Sequence, residues 1–124
     1  MTAPTEGDRG AASLELAVLL PVLIMFLAGL VMCGLAFNAK ITLTSAAREG
    51  ARALALDTGD PVVVARSAAP GIDSNDISVT HSGSPCTPGD PASVTLSYDF
   101  PYTIPFFGEG VWTIRQTGTM RCGG

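Results

Sequence analysis

From Leu16 to Ala39 the chain carries no charged residue, and apolar side chains occupy all sides of any helix drawn through it. Beyond Lys40 the pattern changes to one face: Ala39, Ala46, Gly50, Ala53 and Leu54 recur at helical spacing between polar positions. The two patterns predict one long α-helix that continues to about Asp57. "DTGD" at 57–60 then reads as a helix stop, with Gly59 available for a positive φ. Pro61 suits a first helical turn, so "PVVVARSAA" is predicted as a short second helix ending before Pro70-Gly71. "DISVTH" alternates as a strand, "GSPCTPGDP" is rich in turn residues, and "ASVTLSYDF" places β-branched and aromatic residues on period two until Pro101. "FPYTIPFFGEG" is expected as an irregular connection, and "VWTIRQTGTMRC" as a closing strand. The fold class is α+β: a long N-terminal transmembrane α-helix running into a small head of one short helix and about three antiparallel strands.

Length decides how the apolar run is read. At about 1.5 Å per residue, residues 16–39 would extend roughly 36 Å as a helix, more than the ~30 Å hydrocarbon core of a bilayer. A buried core helix is the soluble alternative, but the rest of a 124-residue chain has too little mass to cover it. Cleavage by ordinary signal peptidase near Ala36, leaving Phe37 as the first residue, is a second alternative. The apolar run is long for a secretory signal, and the leader "MTAPTEGDRG" offers only Arg9 against two acids. Lipoprotein processing before Cys33 is opposed by the bulky Met32, and Cys33 reads as a small packing residue.

Charge adds a second division. Lys40, Arg48 and Arg52 against Glu49 make residues 40–56 basic, whereas residues 57–124 hold seven acids and three bases. The formal net charge of −4 and the lack of a basic run argue against a nucleic-acid partner. His81 is the only histidine, no nucleophile elbow accompanies it, and the carboxylates near it are scattered, so neither a hydrolase triad nor a zinc site is expected. Asp73 and Asp76 lack the EF-hand spacing for calcium. No enzyme activity, metal or cofactor is expected. A disulfide between Cys86 and Cys122 would contribute about 2–4 kcal/mol to a thin three-stranded head in an oxidising compartment; two free thiols are the alternative. Phe100, Tyr102, Phe106 and Phe107 are expected to cover the sheet, with an exposed subunit-contact or adhesive patch as the other reading.

Glu15 singles out a third reading of the apolar segment. A carboxylate at the mouth of a membrane-length run is costly unless it has a partner. Cleavage between Gly10 and Ala11 would make Glu15 the fifth mature residue, after a short polar leader ending in glycine and before a retained apolar helix. That is the arrangement of a type IV-like prepilin. The new α-amine of Ala11, with a reference pKa of about 7.7–8.0, would then be a cationic partner for the Glu15 of a neighbouring subunit. Snorkelling into headgroups, or a favourable place at a helix N-terminus, would explain Glu15 without processing. Pro21 lacks an N–H and crowds the Ala17 carbonyl, so it is expected to kink or loosen the helix. Gly29 and Gly34 are five apart and miss the GxxxG spacing.

With these residues in view, "RGAASLELAVLLPVLIMF" followed by "NAKITLTSAAREGARALAL" resembles the TadE-like family of tight-adherence (Flp-type) pilus systems. Arg9-Gly10, Glu15, Pro21 and the spaced "AAREGAR" with Arg48, Glu49, Gly50 and Arg52 carry the resemblance, and "VTLSYDFPYTIPFF" is similar to the family's C-terminal strand region. The resemblance implies a minor pseudopilin with a leader at 1–10, a transmembrane helix at 11–39, a helical neck at 40–57 and an extracytoplasmic head at 58–124. It implies as partners a prepilin peptidase, other pilins and pseudopilins, the Tad secretion platform and membrane lipid. It places the leader in the bacterial cytoplasm and the head outside, in a structural role in pilus assembly and attachment. An uncleaved bitopic accessory protein is the alternative. The positive-inside rule taken alone favours a cytoplasmic C-terminus, because Lys40, Arg48 and Arg52 outweigh Arg9; the bias is small, and a dedicated insertion route overrides it.

Overall fold

A computed structural model describes residues 6–123; part of the expected leader lies outside the described residues. Helix α1 spans Glu6–Leu56 without interruption, 51 residues or about 77 Å. It ends through a left-handed residue, but that residue is Asp57 (φ 51°), not the expected Gly59. The Thr58 N–H donates to the Ala53 carbonyl at 3.1 Å, which closes the last turn in the manner of a Schellman motif. A short polar side chain makes aspartate tolerable in that conformation. Asp60 then caps α2 (Pro61–Ser67), accepting from the Val62 N–H at 2.9 Å, with Pro61 in the first turn, where its missing donor costs nothing.

Three strands follow: β1 (Ile77–Ser82), β2 (Pro91–Ile104) and β3 (Gly108–Arg121), antiparallel in the order β1-β2-β3. The expected α+β class is therefore observed, with one correction in the hairpin. β2 does not break at Pro101, and 100–110 is not an irregular connection: the ladder continues to Ile104 opposite Gly108, with Pro101 opposite Val111. β1 pairs only with Ser93–Tyr98, so at Pro101 the central strand has an open side, the setting in which sheets admit proline. The turn is Pro105-Phe106-Phe107, closed by the Phe107 N–H donating to the Ile104 carbonyl at 3.1 Å. Phe106 adopts φ 70°, a left-handed conformation that costs a bulky residue about 1–2 kcal/mol.

One face of the sheet packs on the C-terminal part of α1. Ala36, Ala39, Leu43, Ala46, Ala47, Ala51, Leu54 and Ala55 are buried along the helix, and Ala92, Val94, Leu96 and Phe100 alternate into them from β2. The other face is a polar ladder: Ser93 with Thr119 at 3.1 Å, Thr95 with Thr117 at 2.9 Å, and Thr113 donating to Asp99 at 2.8 Å. The helix and sheet touch most closely at Gly118, where a Cβ would overlap the Ala47 carbonyl and stand 2.8 Å from the Arg48 nitrogen. Gly50 is the second such point, its virtual Cβ 2.9 Å from Ala65 Cβ and 3.1 Å from Val94 Cγ1. Residues 40–56 are thus the core helix of the head, with small residues fitted to the sheet and α2. Cys86 and Cys122 are bonded, Cα atoms 5.6 Å apart, and the Gly123 N–H donates to the Ala55 carbonyl at 3.0 Å, so this end ties the sheet to the end of α1.

Gly118→Val has to displace backbone and should lower stability by about 1–3 kcal/mol or more, a drop of roughly 4–8 °C per kcal/mol in the melting of the head by near-ultraviolet circular dichroism. Gly34→Ala, whose Cβ meets nothing within 4 Å, should leave the melt unchanged or raise it. Alkylation of the denatured, unreduced protein should find one thiol, Cys33. Reduction should cost about 3–4 kcal/mol for a loop of this length; three titratable thiols before reduction would remove the staple.

Candidate functional site

Upstream of Ala36 the helix packs against almost nothing. Leu14, Leu16, Val18, Leu19, Val22, Phe26, Leu30 and Leu35 are exposed, and only Met25, Ala28, Gly29 and Met32 are half-buried, in a segment long and apolar enough to cross a membrane. Alanine- and leucine-rich sequence makes the helix locally, and before Met25 no sheet or second helix among the described residues covers it. One candidate single membrane span is therefore present.

Gly10, Ala11 and Glu15 all lie on this uncovered part of α1. The bond after Gly10 is within the first turns of the helix, not in an extended segment, so a protease would first have to unwind it. Little opposes unwinding: glycine weakens a helix interior by about 0.8–1.0 kcal/mol, and among the described residues the one side-chain bond here is the Ser13 hydroxyl donating to the Arg9 carbonyl at 3.0 Å. Glu15 stands four residues after Ala11, about one turn away on the same face. No hydrogen-bond donor within the described residues reaches its carboxylate. Pro21 lies inside the helix, which continues past it in α conformation; the Ala17 carbonyl necessarily lacks its usual donor.

The residues of "AAREGAR" separate by face. Ala46, Ala47, Gly50 and Ala51 are buried, whereas Arg48, Glu49 and Arg52 are exposed on the opposite side. The motif therefore does two things at once: its small residues admit α2 and the sheet, and its charges keep the far face wetted. It brings no set of groups together for catalysis. His81 is exposed on β1, Asp73 is occupied accepting from the Asn75 N–H at 3.0 Å, and among the described residues no three His, Cys, Asp or Glu side chains converge as metal ligands.

The aromatic cluster divides. Phe100 is buried and Tyr102 half-buried against the core, as the covering role requires, but Phe106 and Phe107 are 82% and 77% exposed. Trp112, 58% exposed on β3, joins them; as the only tryptophan its sequence position gave little signal beyond a strand. A cleft of about 250 Å³ brings Tyr102, Ile104 and Trp112 beside Gly29, Met32 and Cys33 of α1. The hairpin thus reaches the apolar, uncovered part of the helix.

Comparison with known proteins gives one match: residues 10–52 fit the family model described as TadE-like protein. No curated protein and no solved structure matches the chain. The resemblance read from Gly10, Glu15, Pro21 and "AAREGAR" is therefore shown for that segment, which includes the uncovered helix and most of the core helix. The match ends at Arg52, so the likeness seen in residues 94–107 is not part of it.

The packing contrast makes a direct forecast. Trypsin acting on detergent-solubilised protein should cleave after Arg9 well before Arg48 or Arg52, because only the latter bonds require opening of the head. Equal rates at the three sites would mean that residues 40–56 are not held under the sheet.

Proposed function

With residues 10–52 a TadE-like segment, we propose that the protein is a minor pseudopilin, a structural membrane-anchored part of a tight-adherence pilus used in attachment. One observation carries the reading: Gly10, the fifth-position Glu15 and an uncovered membrane-length run lie in sequence on a single helix within that segment. A prepilin peptidase removes residues 1–10 on the cytoplasmic side, and the helix stays in the membrane with the head outside. The bonded Cys86 and Cys122 fit a head in an oxidising compartment. Assembly then moves the apolar helix from lipid into a bundle with other pilins, next to the secretion platform.

Glu15 is the group that guides this transfer. In lipid its carboxylate sits at the boundary, one turn from the freed Ala11 amine of the same chain. In a bundle it exchanges that weak, partly solvated contact for the amine of an adjacent subunit, where water is scarcer and the attraction stronger. Pro21 leaves the Ala17 carbonyl without its backbone donor and loosens the helix between the charged end and the core.

Lys40, Arg48 and Arg52 favour the opposite topology, an uncleaved bitopic protein with a cytoplasmic head. Intact mass and N-terminal sequencing of protein from its native membrane separate the two. The expected mature chain begins at Ala11. Gly10→Val should leave the full-length form, and Glu15→Gln should be processed and folded but deplete the subunit from pili. A native chain beginning at Met1 or Thr2 rejects the pseudopilin reading, and one beginning at Phe37 makes the protein secreted.

A further inference from the structure

The exposed aromatics at the hairpin tip are placed by two independent lengths. β2 runs antiparallel to α1, with Val94 against Gly50 and Phe100 facing the cleft that also holds Leu35 and Ala39. From Phe100, four strand residues at about 3.3 Å each carry Ile104 roughly 13 Å further, equal to about nine residues of helix at 1.5 Å. That brings the tip to the level of Gly29, and the cleft joining Ile104 and Trp112 to Gly29 and Cys33 agrees. If the ~30 Å hydrocarbon layer begins at Leu16, it ends near Leu35, and Gly29 lies about 9 Å inside it.

We propose that the tip of the β2–β3 hairpin is a second membrane contact. Phe106, Phe107 and Trp112 enter the boundary between headgroups and acyl chains in the leaflet nearest the head. This rests on the reading of α1 as a membrane span.

The chemistry along the hairpin fits lipid as its occupant. Phe106, Phe107, Val111 and Trp112 are exposed, and they continue the uncovered apolar surface of α1 at Leu35 and Phe37. Lys40 lines the cleft between α1 and β3 above Trp112, where its stem can lie on apolar surface and its ammonium can reach headgroup phosphates. Aromatic residues followed outward by a cation are the order found at a membrane interface. The backbone of the turn is also cheap to take from water: Pro105 has no N–H and that of Phe107 is bonded to the Ile104 carbonyl. Glu109, exposed opposite Thr103, keeps the insertion shallow. Phe106 occupies a left-handed position where glycine would be free of strain, so local backbone preference does not explain an exposed aromatic there.

Trp112, the sole tryptophan, is a built-in reporter. The full chain is reconstituted into vesicles of phosphatidylcholine and phosphatidylglycerol, with the phosphatidylcholine brominated either near the headgroup or near the chain terminus. The expected result is quenching of Trp112 that is stronger for the shallow bromine, with little quenching by aqueous acrylamide. Phe107→Trp in a Trp112→Phe background moves the reporter to an exposed position at the tip, and it should show the same bromine quenching with little quenching by acrylamide. Quenching of that variant by acrylamide alone overturns the assignment to the phenylalanines. If the protein resists alkaline extraction while Trp112 answers only to acrylamide, the proposal fails and the membrane span stands. If alkali strips the protein from the vesicles, the span itself is wrong. If Trp112 is shielded from both quenchers and Phe107→Cys in a Cys33→Ser background cross-links two chains, a second copy covers the tip and the lipid assignment is overturned.

Discussion

The close approach of the sheet to α1 at Gly118 and Gly50 is the contact on which the head depends. A helix face made of Ala36, Ala39, Ala46, Ala47, Ala51 and Ala55 offers little apolar area per residue. It holds a sheet only if the backbones come near enough for methyl groups to touch strand atoms, since dispersion is lost steeply across a gap. Glycine on the strand at 118 and on the helix at 50 supplies that nearness. Leu43, Ile77, Leu96 and Val94 are the largest side chains fully enclosed, a small core for a domain. The Cys86–Cys122 bond and the Gly123–Ala55 hydrogen bond close the far end, where the helix stops and apolar side chains run out.

The same helix meets two environments. From Leu16 to Leu35 its surface is apolar on all sides and mostly uncovered; downstream it is apolar on one side and covered there by its own chain. This explains how much the sequence revealed. An all-round apolar run, a one-sided small-residue face and period-two strands are local signals, and α1, α2 and all three strands were readable from them. What was not readable depended on distant partners. The small-residue face at 39–54 was readable as a packing surface, but that the sheet is what covers it depends on Gly118, seventy residues on. Pro101 looked like a strand end because its effect depends on whether β1 extends that far, which only the register decides. Asp57 took the left-handed position in place of Gly59 because the helix ended two residues earlier than glycine preference suggests.

The candidate site shows the same split. Gly10 and Glu15 could be proposed from the sequence because their reading is a spacing along the chain, and a spacing does not depend on a fold. Arg48, Glu49 and Arg52 were legible as neck charges, either wetted or facing a partner, and the structure places all three on the exposed side of α1. Trp112 was missed: an isolated tryptophan in a strand says nothing until the hairpin is laid along the helix and its ring is found beside Cys33.

Continuity of α1 has a mechanical consequence for any assembly role. Glu6–Leu56 is one helix, so no linker separates the uncovered segment from the core, and the charged "neck" is no hinge. Any translation or rotation of the apolar half is passed to the sheet without loss, apart from what bending at Pro21 absorbs. A head held this way cannot tumble independently at the membrane surface. Its orientation is set by the helix, and the hairpin tip, fixed beside residues 29–33, must follow. On the proposed reading of α1 as a span with the tip at the interface, moving the helix out of lipid has to bring the aromatic tip out with it or give it a new apolar partner. Departure from the bilayer and exposure of the tip would then be one event, tying the chemistry proposed at Glu15 to a surface at the other end of the span.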